Sequence, residues 1–187
     1  FNRSHAAAYS AIAYWQMYLK HYHPTEFMWA LMRNESDALV LTKYVKEAAR
    51  LGIEVRSPSV VDSDFDWTIS GAKTIVAPLK DVKNVGESAA RDIASKRPFV
   101  SLDDFFSRVE RRAVNRRVVV ALTLADAMGA LLSNKRAFVD NAEKICGARS
   151  QQASYDAILA EWRKTGEQDY DAEEAIIQRA RVCPMAM

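Results

Sequence analysis

The sequence predicts a mainly α-helical protein with one small β-hairpin insert and a helical tail. Over most of its 187 residues, apolar side chains recur at spacings of three and four, which is the pattern of a helix that buries one face. Strand-like alternation is confined to residues 53–76. Hydrophobic residues make up 49% of the chain and charged residues 27%, so the composition is sufficient for a packed core.

Three helices are expected in the first 52 residues. Ser4 is the predicted N-cap of the first, which continues without Gly or Pro to Tyr22. The second begins after Pro24, and Ser36 is the predicted cap of the third. Gly52 stands where a helix C-terminus favours a left-handed residue.

The β insert comes next, and short helices follow it. Residues 65–69 and 73–76 flank Gly71, which tolerates the positive φ of a tight hairpin turn, and residues 53–56 form a third short strand. Helices this short need to pack against one another to be stable. The predicted later helices are 87–96, 102–110, 116–128, 135–146, 151–164 and 171–182.

Composition and motifs exclude several classes. Two cysteines, Cys146 and Cys183, do not make a disulfide scaffold and indicate free thiols in a reducing compartment. No apolar stretch approaches the roughly 18 residues of a membrane span, and no signal peptide is present, so we expect a cytoplasmic protein without a membrane partner. The chain opens at Phe1 without an initiator Met, which predicts a fragment, a processed product or one half of a divided protein.

The chain shows no catalytic, metal or cofactor site of its own. Its three histidines, at positions 5, 21 and 23, have no further ligands at coordination spacing. It has no phosphate-binding loop with a Lys-Ser/Thr pair. The acidic residues at 62–66 and 103–104 are expected to be solvated or to cap helices rather than to hold Mg²⁺.

A tight turn at residues 80–88 is the first candidate for anion binding. It opens a helix, so backbone N–H groups point outward with the helix dipole behind them. The pattern is typical of a helix-hairpin-helix DNA-binding turn with Asn in place of the first Gly, and Asn tolerates a left-handed backbone. The alternative is an ordinary helix that begins at a glycine. The predicted DNA contacts are Lys80, Lys83, Asn84, Val85, Gly86, Ser88 and Arg91.

Residues 108–117 form the second candidate, with five arginines in ten residues at a helix–turn–helix junction. Arginine makes bidentate phosphate contacts, which carry much of sequence-independent DNA affinity. The alternative is a solvated face that Glu110 partly neutralises. The two turns lie about thirty residues apart, which suits a tandem pair on two phosphate backbones. The predicted contacts are Arg112, Asn115, Arg116 and Arg117.

The charge distribution agrees with a polyanionic partner for the body of the chain. Residues 1–149 hold 22 basic against 17 acidic residues, and residues 150–187 hold 4 against 7. A third cluster, in residues 1–9, combines a cation, a hydroxyl and an imidazole beside a bare Ala6–Ala8 turn. The residues alone do not decide between a binding role and an ordinary helix start.

Taken in order, these segments resemble the α subunit of bacterial DNA polymerase III, the C-family replicative polymerase. Residues 1–9 resemble that family's Phe-Asn-Lys-Ser-His-Ala-Ala-Ala-Tyr signature, with Arg3 in place of the usual Lys. Residues 18–28 resemble its Tyr-Leu-Lys … Tyr-Pro-Ala-Glu-Phe-Met stretch, and residues 82–87 its Ile-Lys-Gly-Val-Gly-Glu hairpin. The resemblance is collinear over roughly residues 1–132.

The resemblance implies three regions. Residues 1–78 would be the distal fingers, 79–132 a tandem helix-hairpin-helix module that grips duplex DNA, and 133–187 a helical extension of unassigned role. The fingers would face the incoming nucleotide and the templating base. The implied nucleotide-binding residues are Asn2, Arg3, Ser4, His5 and Tyr9.

The resemblance also implies what the chain lacks. The family's catalytic aspartates lie on the palm, upstream of the opening signature, so Mg²⁺ and dNTP would be held at a palm on another chain or in an upstream region. The chain would then be part of a nucleotidyltransferase that does not polymerise DNA alone, as in a split or bacteriophage polymerase. No Gln-x-x-Leu-Phe-like peptide is found, so we do not expect clamp binding.

Two alternatives to a polymerase portion remain. One is a free-standing replication accessory protein that binds DNA without sequence preference. The other is a structural interaction protein whose basic residues are solvated surface. Salt-dependent duplex binding distinguishes this last alternative from the other two.

Overall fold

The computed structural model describes residues 2–184 and confirms the predicted fold class, mainly α with a small β insert and a helical tail. Phe1, the first residue of the polymerase-like signature, lies outside the described residues. The chain divides into two compact units. The first holds the residues up to 55 together with 69–75, and the second holds 56–68 and the residues from 76 onward.

The first unit contains three helices, α1 (Arg3–Tyr22), α2 (Pro24–Arg33) and α3 (Ala38–Arg50). Two predicted caps are wrong. Ser4 lies inside α1, because the helix already begins at Arg3. Asp37, not Ser36, caps α3 and accepts the N–H of Leu39 at 2.8 Å. Glu35 Oε1 accepts the N–H groups of Ser36 and Asp37. These hydrogen bonds hold the backbone before the helix so that the cap falls at Asp37, one residue later than predicted.

The core of the first unit lies between α2 and α3. Met28, Met32 and Ala48 are buried there. Lys20 Nζ, near the end of α1, lies 2.7 Å from Glu47 Oε1 and holds the pKa of that carboxyl below its ordinary value. Residues 2–19, in contrast, are exposed along their whole length, so α1 is attached only through its C-terminal end within this unit.

Three short strands form one sheet. They are β1 (Glu54–Arg56), β2 (Thr68–Ile69) and β3 (Thr74–Val76), in the order β1-β3-β2. Gly71 has a φ of 105°, and the N–H of Ser70 donates to the carbonyl of Thr74 at 2.9 Å. The predicted hairpin is therefore confirmed, with strands shorter than the sequence pattern indicates.

The second unit begins its helical part with a 3-10 turn at Leu79–Asp81. Two predicted helices differ from the structure by more than two residues at an end or by a break. The helix from 116 ends at Leu124 instead of 128, and the predicted helix 135–146 is two helices that break at Asn141, whose side chain donates to the Ala137 carbonyl. The helices are α4 (Glu87–Ser95), α5 (Leu102–Arg108), α6 (Arg116–Leu124), α7 (Lys135–Asp140), α8 (Ala142–Gly147), α9 (Gln151–Thr165) and α10 (Ala172–Val182).

A continuous apolar core holds these short helices together. Phe105 of α5, Leu122 of α6 and Phe138 of α7 are fully buried. Phe138 meets Tyr155 of α9 edge to face at 6.1 Å between ring centroids. The Tyr155 hydroxyl accepts the N–H of Asn134 at 2.6 Å, so the helical tail is part of the same core as the predicted DNA-binding module.

Candidate nucleic-acid interface

The first predicted turn lies between the 3-10 helix and α4, and Asn84 is its left-handed residue. Asn84 has a φ of 71°, as expected for an Asn that replaces a turn glycine. The N–H of Val85 donates to the Val82 carbonyl at 3.0 Å, and the Val85 side chain is buried. Val85 therefore anchors the turn from inside, whereas Lys83, Asn84 and Gly86 are exposed.

The N-terminus of α4 is open to solvent. Its N-cap is Gly86, which has an ordinary φ of −73° and no side chain to accept the first N–H groups of the helix. A Cβ added at Gly86 would meet no described atom within 4 Å, so the space above the turn is free. Ser88 is exposed in the first turn of the helix. Unsatisfied N–H groups at a helix start attract an anion such as a phosphate.

Two of the predicted cations of this turn are already engaged elsewhere. Lys80 Nζ lies 3.0 Å from Asp66 Oδ1, and Arg91 Nη2 lies 2.8 Å from Glu87 Oε1. Both cations also lie over the ring of Phe65, at 5.0 Å for Lys80 and 3.8 Å for Arg91. The structure therefore brings Lys80 and Arg91 together on one aromatic ring with carboxylate partners. Beside them, burial raises the pKa of Asp81.

The second predicted turn, between α5 and α6, has both structural and exposed arginines. Arg108 donates to the backbone carbonyls of Pro98 and Lys96, so it closes the turn rather than facing solvent as a free cation. Asn115 caps α6 through its side-chain oxygen, which accepts the N–H of Arg117 at 2.9 Å. Arg112 and Arg117 are exposed in this turn and at the start of α6.

The two predicted turns face one groove. Asn84 of the first turn and Arg116 and Arg117 of the second line a cavity of about 460 Å³. Arg116 Nη1 lies 2.8 Å from Glu143 Oε2, and both residues also line an adjoining cavity of about 360 Å³. The groove is lined by apolar side chains of α6, α7, α8 and α10 together with two arginines, Asn84 and two acidic residues, Glu143 and Asp140.

The adjoining cavity contains residues that the sequence analysis did not select. Arg111 lines it together with Cys146, and burial raises the pKa of the Cys146 thiol, so this cysteine is held in its neutral form at ordinary pH. Arg111 belongs to the run of five arginines, which was the available signal for it.

A second left-handed residue, Asp126, was also missed. It has a φ of 66° and follows the C-terminus of α6, where the sequence analysis had extended the helix to 128. The N–H of Ala127 donates to the Leu122 carbonyl and that of Asp126 to the Thr123 carbonyl, which is a Schellman ending. Asp, like Asn, tolerates this conformation better than other non-glycine residues. The Asp at position 126 was therefore the available sequence signal for the end of α6.

The predicted nucleotide-binding residues lie in the first unit, at the start of α1. Asn2 is the N-cap residue, and Arg3, Ser4, His5 and Tyr9 occupy the first two turns of the helix, all exposed. The rings of His5 and Tyr9 lie 4.4 Å apart. Arg3 and His5 are two residues apart on a helix, so they point to different sides. The structure thus groups His5 with Tyr9 and separates them from Arg3.

Within residues 2–184, no three His, Cys, Asp or Glu side chains are grouped so as to hold a metal ion. None of the helices in that range has the length and apolar character that crossing a membrane requires.

Comparisons with known proteins bear on this geometry. A family model described as a helix-hairpin-helix motif matches residues 52–138, the stretch that contains both turns. A DNA polymerase III subunit alpha from Thermus aquaticus is 44% identical over 137 residues, which cover 70% of this chain and 11% of the relative. The subunit from Saccharopolyspora erythraea is 36% identical over 162 residues, 82% of this chain and 14% of the relative.

A third relative extends the match along almost the entire chain. The DNA polymerase III subunit alpha of Campylobacter jejuni is 28% identical over 189 aligned residues, 97% of this chain and 15% of the relative. The chain therefore spans about a seventh of the length of the curated relatives it matches. The motif and the relatives agree on one stretch of sequence, so the chain belongs to the DNA polymerase III α-subunit family and corresponds to a part of it that contains the helix-hairpin-helix region.

Proposed function

We propose that this chain is the DNA-binding and nucleotide-facing portion of a replicative DNA polymerase. The observation that carries the proposal is the shared groove, where Asn84 of the first turn and Arg116 and Arg117 of the second turn meet. Two turns that face the same way can contact phosphates of one duplex at the same time. This arrangement binds the backbone and leaves base edges unread, so the proposed binding is independent of sequence.

The phosphate contacts are of two kinds. At the first turn, the open start of α4 offers N–H groups, with the Lys83 side chain exposed beside them. At the second turn, the start of α6 is already capped by Asn115, so the contacts come from the exposed guanidinium groups of Arg112 and Arg117. Arg116 contributes after it exchanges Glu143 for a phosphate.

The test removes the proposed phosphate contacts of the second turn. Replacing Arg112, Arg116 and Arg117 together by Ala should weaken binding to any duplex, on the order of 10- to 100-fold at low salt, and lower the slope of log affinity against log salt by roughly 3. Fluorescence anisotropy with two unrelated 20-base-pair duplexes measures both.

A matched control removes the same charge elsewhere. Arg149, Arg163 and Lys164 are exposed and do not line the groove. Their triple replacement by Ala should leave most of the affinity intact. Equal losses in the two triple variants, or a loss confined to one duplex sequence, would contradict backbone binding at the groove.

The polymerase role needs catalytic carboxylates from elsewhere. We place the Mg²⁺ and the dNTP phosphates at a palm on another chain or in an upstream region, with the start of α1 facing the nucleotide through His5 and Tyr9, which share one side of the helix. Supporting this, α1 carries an exposed apolar stripe, defined by Ile12, Trp15, Tyr18, Leu19 and Tyr22. Trp15 is 62% exposed and Tyr22 60% exposed. Large exposed apolar patches indicate an interaction surface.

Reconstitution tests this half of the proposal. A polypeptide that carries a polymerase III palm, mixed with this chain, should extend a primer, whereas this chain alone should not. Trp15→Glu should abolish extension by the mixture and leave duplex binding unchanged, because the side chain is exposed and lies outside the groove. Met17→Glu is the matched control, because Met17 is also an exposed apolar residue of α1 but lies on a different side of the helix from Trp15 and two turns beyond Tyr9. This variant should retain extension.

The outcome separates the candidate functions. Duplex binding without any restored extension would favour a free-standing accessory protein. The proposal includes a cytoplasmic location in a bacterial or phage-infected cell, and it includes no clamp contact by this chain. Fractionation of cells that express the chain with a palm partner tests the location.

A further inference from the structure

The helical tail, to which the sequence analysis gave no role, contacts the first DNA-binding turn directly. The N–H of Lys83 donates to the carbonyl of Val182, the last residue of α10, at 2.7 Å. Val182 and Cys183 are buried, and Val182 also lines the groove beside Asn84 and Arg117. The C-terminus of α10 therefore forms part of the groove wall and holds the Asn84 turn.

The same helix also holds the far end of α6. Arg179 Nη2 lies 2.7 Å from Asp126 Oδ2, and Lys135 Nζ lies 2.7 Å from Asp126 Oδ1. All three side chains are about one quarter to one third exposed, so water screens these ion pairs only in part. The Arg179 Nε is buried without a hydrogen-bond partner among the described residues, which leaves Asp126 as its anchoring contact.

Arg179 and Val182 are three residues apart, so they lie on one face of α10, about 4.5 Å apart along the helix axis. One helix face thus connects the Asn84 turn to the Asp126 turn. Because α6 runs from Arg116 to Leu124, fixing its C-terminal end at Asp126 also fixes the direction in which Arg116 and Arg117 enter the groove. The spacing between the two sets of phosphate contacts then depends on α10.

We infer that α10 is a positioning element for duplex binding and that Arg179 is its positioning residue. This inference rests on the proposed DNA-binding function and gives the helical tail a role in it. With the Arg179–Asp126 pair intact, both turns contact the same duplex at once. Without it, the C-terminal end of α6 loses its ionic restraint to α10 and shifts within the limits of the core, so the two sets of contacts no longer fit the backbone together.

The experiment uses the full chain and first breaks the Arg179–Asp126 ion pair from its acidic side, which removes the Lys135–Asp126 pair as well. Asp126→Asn keeps a residue that tolerates a left-handed backbone, so the turn is preserved. It also makes the protein more basic, and simple electrostatics would then strengthen DNA binding. A positioning role demands the opposite result. We expect about 10-fold weaker binding to a 20-base-pair duplex and a salt slope smaller by roughly 1 to 2, because phosphate contacts are lost.

Arg179→Ala should reproduce that loss of affinity and slope. Arg181→Ala is its matched control, since Arg181 is exposed on the same helix and its guanidinium contacts only Gln178 among the described residues. Arg181→Ala should change affinity less than 3-fold. A loss of folded protein alone lowers the active fraction and leaves the salt slope unchanged, so the slope separates positioning from mere stability.

The outcomes are distinct. Unchanged or tighter binding by Asp126→Asn, or equal losses for the Arg179 and Arg181 variants, would overturn the positioning role while the proposed function stands. Absence of salt-dependent duplex binding by the unmodified chain would overturn the proposed function itself, and the inference with it.

Discussion

The turns at Asn84 and Asp126 have nearly the same backbone conformation and opposite surroundings. Their φ angles are 71° and 66°, and they are the non-glycine residues with positive φ within residues 2–184. Asn84 is neutral and exposed, and the helix that follows its turn begins without a side-chain cap. Asp126 is charged and is held between Lys135 and Arg179.

The same contrast extends to the helix starts beyond the turns. The start of α4 is open, but that of α7 is filled, because Asn134 accepts the N–H of Ala137 and Asp169 accepts the N–H groups of Lys135 and Arg136. The helix start beyond Asn84 is therefore available to an external anion, whereas the helix start beyond Asp126 is closed by the side chains of Asn134 and Asp169. A left-handed turn before a helix does not by itself define a phosphate site, since its neighbours decide whether the donors are free.

The largest stability effect should come from disturbing the closed turn. A Cβ at Gly129 would lie 2.8 Å from Asp126 Oδ1 and 3.3 Å from its carbonyl oxygen. Gly129→Ala must therefore shift the Asp126 carboxylate from its position between Lys135 and Arg179, and we expect a loss of about 2 kcal/mol in the free energy of unfolding. Urea denaturation followed by circular dichroism measures it. Gly147→Ala is the control, because its Cβ would meet nothing within 4 Å and Ala favours a helix.

A smaller effect is expected at the open turn. Asn84→Ala places a residue with no local hydrogen-bonding group in the left-handed region, which costs about 1 kcal/mol. Asn84→Gly should be at least as stable as the original, because glycine adopts this φ freely. Thermal melts of the two variants test the contrast. If both lose stability equally, the Asn84 side chain rather than its backbone conformation holds the turn.

The smallest effect is a pH dependence in the attachment of the tail. Asp103 of α5 accepts the N–H of Gln152 at 3.0 Å and the hydroxyl of Ser150 at 2.7 Å, and these hydrogen bonds hold its pKa below the ordinary value. A carboxyl whose folded-state pKa is lowered contributes stability above its unfolded pKa of about 3.9 and loses it as the pH falls through the folded value.

Asp103→Asn should therefore be less stable than the original at pH 7, and the difference should shrink below about pH 4. Denaturation midpoints at pH 7, 5 and 3 measure this. Glu167→Gln, which changes the same charge at an exposed position, is the control. A difference between Asp103→Asn and the original that persists undiminished at pH 3 would show that the carboxylate charge is not what joins α5 to α9.

Local sequence was sufficient for most of the helices and for the first turn. Asn84 was predicted to tolerate a left-handed backbone, and the helices predicted from 102 and from 116 begin at those residues, because the side chains of Ser101 and Asn115 cap them through contacts within three residues. The errors at Ser4 and Ser36 are also local, because neighbouring polar residues compete for one cap. The end of α6 was missed, because an apolar stripe that continues to Met128 hides a helix end that Asp126 specifies.

By itself, the sequence determined the helical class, the Gly71 hairpin, the Asn84 conformation and the family, because these depend on periodicity, backbone preference and contiguous motifs. Only the tertiary structure decided which charges are free. Lys80 and Arg91 share Phe65, Arg108 is used inside the fold, and Arg179 reaches Asp126, 53 residues earlier in the chain. An ion pair depends on distance in space, and sequence spacing does not supply that distance beyond the next helical turn.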